Sequence, residues 1–231
     1  MSRSYYSENA EKFFQEDPNS ILGKLLQNDP YSTLQTQKNA WRVQIDILQK
    51  ELNRIPIDRI LFEYTIPRMG RRVDNVVFYK GVVYLLEFKV GEDNYKNTDL
   101  KQAEGYALDL KYFQEGSRNC KLVPILICTE AGNYQNKIEM EGDVCRPLRT
   151  NTLNLLHVIL QASKEFNEPD IDSVSWENSL YNPTPTIIEA GQALYANHKV
   201  DEITRHDSVG RTFTQTSQAI DKIITESKRD S

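Results

Sequence analysis

The chain has 231 residues, of which 39% are hydrophobic and 26% charged, enough for a packed core with helical additions and too ordinary a balance for wholesale disorder. Its formal net charge of -5 argues against a domain that holds nucleic acid by bulk electrostatics. No apolar run approaches the roughly 18 residues needed to span a bilayer, and Met1-Ser-Arg-Ser-Tyr-Tyr lacks the apolar stretch of a signal peptide, so a cytoplasmic protein is expected.

Two short helical patterns open the chain, around Asn9 to Glu16 and Ile21 to Gln27, separated by the turn and cap cluster Asp17-Pro18-Asn19-Ser20. A longer helix is predicted from about Gln35 to Asn53, because Trp41, Ile45, Leu48 and Leu52 fall on one helical face, and Pro56 ends it. Three strands should follow, Arg59 to Ile66, Arg72 to Tyr79 and Val82 to Val90, punctuated by Pro67-Arg68-Met69-Gly70 and Lys80-Gly81. A helix from about Thr98 to Phe113 leads to the apolar run Leu122 to Thr129, a strand that Pro124 should confine to a sheet edge or a bulge. Helices are expected again at Leu153 to Glu165, Thr186 to Asn197 and Phe213 to Ser227, with Asn182-Pro183-Thr184-Pro185 as a rigid connection. The core order is therefore αβββαβ, an α/β arrangement.

Alternation along the third strand puts Val83, Leu85, Glu87 and Lys89 on one face. If Lys80-Gly81 is a two-residue hairpin turn, Tyr79 pairs with Val82, Val76 faces Leu85, Asp74 faces Glu87 and Arg72 faces Lys89. One end of that face is then apolar, and the other carries two carboxylates and a lysine. Opposed carboxylates repel unless a cation lies between them, and oxygen ligands favour a hard ion such as Mg²⁺ or Mn²⁺. The plainer alternative is a surface charge pair on an exposed strand. Gln102 and Tyr106, at i and i+4 beside Asp109, could line the same cleft from the next helix. Cys120, Cys128 and Cys145 have no metal-binding spacing and are expected to be reduced thiols. His157, His198 and His206 form no zinc pattern. From Arg54 to Lys121 there are 12 Lys and Arg against 10 Asp and Glu, so the expected core is locally basic.

Arg71-Arg72-Val73-Asp74, Leu86-Glu87-Phe88-Lys89 and Gln102-Ala-Glu-Gly-Tyr106 together resemble the motif order of the PD-(D/E)xK nucleases, in particular their RecB-like branch. The resemblance covers about residues 35 to 130. It implies a restriction-endonuclease-like core with a mixed sheet over 35–165, preceded by a helical lead-in (1–34) and followed by a helical extension or linker (166–231) toward a further domain. It implies nucleic acid as substrate, DNA in the first instance, with Asp74, Glu87 and the Phe88 carbonyl holding Mg²⁺ or Mn²⁺, and Lys89 orienting the attacking water or stabilising the developing charge. Gln102 and Tyr106 would position the strand or the ligands, and Arg71, Arg72 and Lys96 would touch flanking phosphates. Such enzymes often take a further acid from the first helix. Gln44 and Glu51 stand there, and Glu63 on the first strand is the other candidate. Phe62-Glu63-Tyr64, the run from Glu104 to Leu110 and the run from Tyr181 to Thr186 also resemble the leader of bacterial nuclease-helicase fusions, some linked to phage defence, in which a Schlafen-like helicase domain follows. The chain has no G-x-x-x-x-G-K-[ST], so any ATP-driven step would belong to a helicase domain or partner. Two other readings remain: a nucleic-acid-binding or autoregulatory module without turnover, and a structural interaction domain.

Overall fold

A computed structural model describes residues 3–29, 34–67, 70–166 and 168–182. The helices expected at 186–197 and 213–227, with most of the 166–231 extension, lie outside these residues. The elements in chain order are β1 (Tyr6–Asn9), α1 (Ala10–Gln15), α2 (Pro18–Asn28), α3 (Gln35–Leu52), β2 (Arg59–Ile66), β3 (Arg71–Tyr79), β4 (Val82–Lys89), α4 (Asn97–Phe113), β5 (Lys121–Cys128), β6 (Met140–Glu141), β7 (Val144–Cys145), β8 (Leu148–Thr150), α5 (Leu155–Ser163) and α6 (Ser173–Asn178). The expected α-β-β-β-α-β succession is present as α3 through β5.

The strands form one eight-stranded mixed sheet in the order β1-β2-β3-β4-β5-β7-β6, with β8 also on β5. β1 to β4 are antiparallel neighbours, whereas β5 runs parallel to β4, the direction that a crossover through α4 permits. Helices cover both faces. On one, Phe13, Ile21, Trp41, Ile45, Leu48 and Ile159 from α1, α2, α3 and α5 pack on Ile60, Phe62, Val77, Tyr84 and Ile125. On the other, Tyr106, Ala107 and Leu110 of α4, with Trp176 of α6, pack on Leu61, Val76, Phe78, Val83 and Leu85. Each such fully buried aliphatic or aromatic side chain contributes about 1.5–3 kcal/mol.

The local rules explain the elements. Asp17 caps α2 by accepting from the Asn19 and Ser20 N–H groups, with Pro18 in the first turn where a missing N–H costs nothing. The β3–β4 turn has Lys80 at φ 49° and Gly81 at φ 68°, both left-handed as a type I′ hairpin turn requires. Gly81 is needed twice over, since an added Cβ would collide with the Pro169 and Glu168 carbonyl oxygens.

Three features depart from the expectations. The lead-in contributes a strand as well as two helices, since Tyr6 to Asn9 pair with Phe62 to Arg59. Residues 168–182 fold against the sheet, where the Ser4 and Ser7 hydroxyls donate to the Glu177 carboxylate (2.7 and 2.6 Å) and Trp176 is buried. Pro124, finally, does not mark an edge, and the neighbouring segment takes one residue more beside it, Val144 to Leu148 against Leu122 to Ile125. The proline sits in the interior strand β5, between Leu122, which pairs with Val144 of β7, and Ile125, which pairs with Leu148 of β8. The neighbour changes where proline has no N–H to give. Cys120, Cys128 and Cys145 are free and buried. Among the described residues, no helix is long and apolar enough to cross a membrane.

Candidate active site

Val83 and Leu85 of β4 pack toward α4, and Val82, Tyr84, Leu86 and Phe88 toward the opposite layer, so alternation carries Glu87 and Lys89 to the α4 side. The hairpin register is the expected one, with Tyr79 on Val82, Val76 on Leu85 and Asn75 on Leu86. Pairing stops there. Asp74 and Glu87 are not backbone partners, and the Asp74 Oδ2 instead accepts from the Phe88 N–H at 2.8 Å. Asp74 is thus anchored by its side chain across the point where the strands part.

The β2–β3 ladder is interrupted at the same level. Phe62 pairs with Asn75 and Tyr64 with Val73, leaving Glu63 opposite Asp74 without a ladder pair. Glu63 has φ 51°, a left-handed conformation that costs a non-glycine residue about 1–2 kcal/mol. The facing slips accordingly: Leu61 and Tyr64 pack in the same cluster, as do Val73 and Val76, where strict alternation would separate each pair. The double interruption brings Glu63, Asp74 and Glu87 to one cleft of about 860 Å³, also lined by Tyr5, Gln37, Arg71, Arg72, Gln102 and Tyr106.

Within it the side chains are interlocked. Glu87 Oε1 accepts from Lys89 Nζ (2.8 Å) and Gln102 Nε2 (2.9 Å), and Gln102 also donates to the Tyr106 hydroxyl (2.6 Å) and accepts from Lys89 (3.2 Å). Glu87 Oε2 is buried and has no partner. Burial raises the Asp74 carboxyl well above its ordinary range, and the nearby Glu87 and Glu63 raise it further. Burial raises Glu87 as well, against the pull of Lys89. Burial disfavours the Lys89 ammonium, but Glu87, Asp99 and Asp74 outweigh it and raise its pKa, so this lysine is charged at neutral pH. Glu63 is held differently: its Oε1 accepts from Trp41 Nε1 (2.7 Å) and Gln37 Nε2 (3.1 Å), and its Oε2 pairs with Arg72 Nε (2.8 Å).

The expected site residues therefore fall into two groups. Asp74, Glu87, Gln102, Tyr106, Glu63, Arg71 and Arg72 line the cleft, and Lys89, outside that lining, is bonded to two of its residues, Glu87 and Gln102. Arg72 does not face Lys89, because its guanidinium is taken by Glu63 and by the Tyr5 hydroxyl at 2.6 Å. Arg71 stands half exposed at the rim, 3.6 Å from Asp109. Lys96 pairs with Glu92 at 2.5 Å outside the cleft lining. Glu51 and Gln44 are buried in α3 away from that lining. Glu51 lies ten residues beyond Trp41, about 15 Å along the helix. Sequence reasoning missed Tyr5, Gln37 and Trp41. Only Trp41 left a signal, since a core indole usually finds an acceptor for its N–H.

Among the described residues, no group of three or more His, Cys, Asp or Glu side chains is arranged to hold a metal ion. The available oxygen set is smaller. Lys89 C=O accepts from Thr129 N–H on the β5 side, and successive strand residues alternate edges, so the Phe88 carbonyl leaves on the Asp74 side, as its N–H does. Two carboxylates, one with an unpartnered buried oxygen, and a backbone carbonyl suit a hard divalent cation that keeps several waters. Comparisons with family models, curated proteins and solved structures find no match to this chain.

Proposed function

We propose that this chain is a divalent-cation-dependent nuclease with a restriction-endonuclease-like core, acting on nucleic-acid phosphodiesters, DNA in the first instance. The observation that carries the reading is the unpartnered, buried Glu87 Oε2 beside a second carboxyl, Asp74, whose pKa is also raised. A buried carboxylate oxygen without a partner calls for one, and two neighbouring carboxyls are relieved either by a proton or by a cation between them. Asp74, Glu87 and the Phe88 carbonyl would hold Mg²⁺ or Mn²⁺, which when bound polarises a phosphate and lowers the pKa of its water.

The chain's own residues supply the rest. Lys89 keeps its ammonium charged behind the cleft lining, oriented by Glu87 and Gln102, from where it stabilises negative charge developing on the phosphate. Gln102 fixes the Glu87 rotamer and meets the Tyr106 hydroxyl. Arg71 at the rim touches a flanking phosphate, a contact that positions without reading sequence. Arg72 is committed to Glu63 and preserves the kinked geometry opposite Asp74. A helicase domain or partner, and a role in phage defence, belong to this proposal through the motif resemblance alone.

Labelled linear and circular DNA, and RNA, incubated with Mg²⁺, Mn²⁺ or chelator test the reading. Cation-dependent cutting that is lost in Asp74→Ala is expected. Binding without turnover under every cation would favour the non-catalytic module, and absence of both cutting and cation binding would sink the proposal.

A further inference from the structure

Beyond the cleft, α4 separates it from a second groove of about 370 Å³ lined by Lys101, Glu104, Tyr134, Lys137, Arg146 and Arg149 among others. Tyr134 is 46% exposed. One side of its ring is covered by the Arg149 guanidinium at 4.5 Å, and Tyr95 meets it edge-on with centroids 5.9 Å apart. Its segment has no regular secondary structure yet is fixed by side-chain bonds to backbone: Asn136 donates to the Arg149 carbonyl and accepts from its N–H, both at 2.8 Å, and Asn151 donates to the Ala131 carbonyl at 2.9 Å. An exposed ring is thus held in place by polar bonds rather than by packing.

Charge favours an anion there. Glu139 is taken up by Lys137 and Arg146 (2.6 and 2.9 Å). Lys101 and Arg149 have no carboxylate partner among the described residues, against Glu104 as the remaining acid of the lining. The groove is also tied to the cleft by register. Glu87 pairs with Leu126 of β5, and Leu126 with Arg149 of β8, so the Glu87 and Arg149 backbones lie two strand spacings apart, about 10 Å. That distance is roughly one to two nucleotides of an extended strand.

We propose that this groove is a single-strand subsite, taking one unpaired base against the exposed part of the Tyr134 ring and its phosphate on Lys101 and Arg149. A ring can take a base only when that base is free of its own stack, so the ligand is single-stranded rather than duplex. That the strand is the one engaged by the cleft rests on the nuclease reading; binding in the groove does not.

Fluorescence anisotropy with a labelled 15-nucleotide oligothymidylate and an abasic 15-mer, on protein carrying Lys89→Ala to prevent cutting, tests the subsite. Tyr134→Ala should weaken oligothymidylate binding about tenfold, Tyr134→Phe should restore it, and the abasic strand should bind both variants alike. Equal oligothymidylate affinity with and without Tyr134→Ala would overturn the proposal, as would binding of dTMP as tight as that of the oligomer, which would assign the groove to a free nucleotide. If wild-type protein cuts DNA while Tyr134→Ala leaves oligomer binding intact, the subsite fails alone. Tyr134-dependent binding by a protein that cuts nothing leaves the subsite and removes the nuclease.

Discussion

Asp74, half-buried, and Glu87, buried, lie close together, and each holds its proton to higher pH than a free carboxyl. A carboxyl whose folded-state pKa is raised stabilises the fold fully below its unfolded value, about pH 4, and that contribution is lost as pH rises through the folded value. Cation-free melts should therefore fall with rising pH above about 4, and Asp74→Asn should flatten the curve and melt higher at neutral pH. An Asp74→Asn melt no higher than wild type at pH 7 without cation would show that the pair is not strained. The cation makes a second, sharper contrast at this scale. Asp74→Ala and Lys89→Ala should both abolish cleavage, but the first should weaken calorimetric Mn²⁺ binding while the second leaves it unchanged or tighter, because one removes a ligand and the other a positive charge. Trp41→Phe deletes a donor to the buried Glu63 and should cost about 1–3 kcal/mol in chemical denaturation.

At the scale of elements, the β3–β4 hairpin was legible because Lys80-Gly81 names its own turn and the turn fixes every later pair. The facing of Glu87 and Lys89 followed from the same alternation. What the sequence concealed was the end of that ladder: nothing in Phe62-Glu63-Tyr64 announces a glutamate at φ 51°, since left-handed backbone has a residue signature only for Gly, Asn and Asp. β1 was hidden for another reason, being four residues long and ending at the Asn9 cap of α1, so the helix signal masked the strand. Pro124 misled because the rule against interior proline assumes a continuous neighbour on each side. Gly81→Ala tests how firmly the turn is held. Its left-handed backbone alone costs roughly 1–2 kcal/mol, the collision with residues 168–169 adds to it, and a thermal melt no lower than wild type would contradict that contact.

Over the whole molecule the net charge is -5, and among the described residues the cations placed to meet phosphate are local: Arg71 at the cleft with Lys89 beside it, and Lys101 and Arg149 across α4. Binding of DNA should be weak and should fall with salt at a log–log slope of roughly -2 to -4, one unit or less per phosphate contact. Affinity that survives 200 mM salt would mean contacts other than these. The topology also dictates an order of events. Asp74 and Glu87 sit on one hairpin with a two-residue turn, whereas β4 and β5 can pair only after α4 has crossed between them. Contacts of short sequence separation form at the least entropic cost, so the two carboxylates meet before the sheet is complete and their repulsion is felt on the way to the transition state. A divalent ion should then act chiefly on the rate of folding, steepening the refolding limb's gain with added Mn²⁺ while unfolding is little slowed. The cation would in that case serve the protein twice, first as an aid to its own assembly and only afterwards as part of its chemistry.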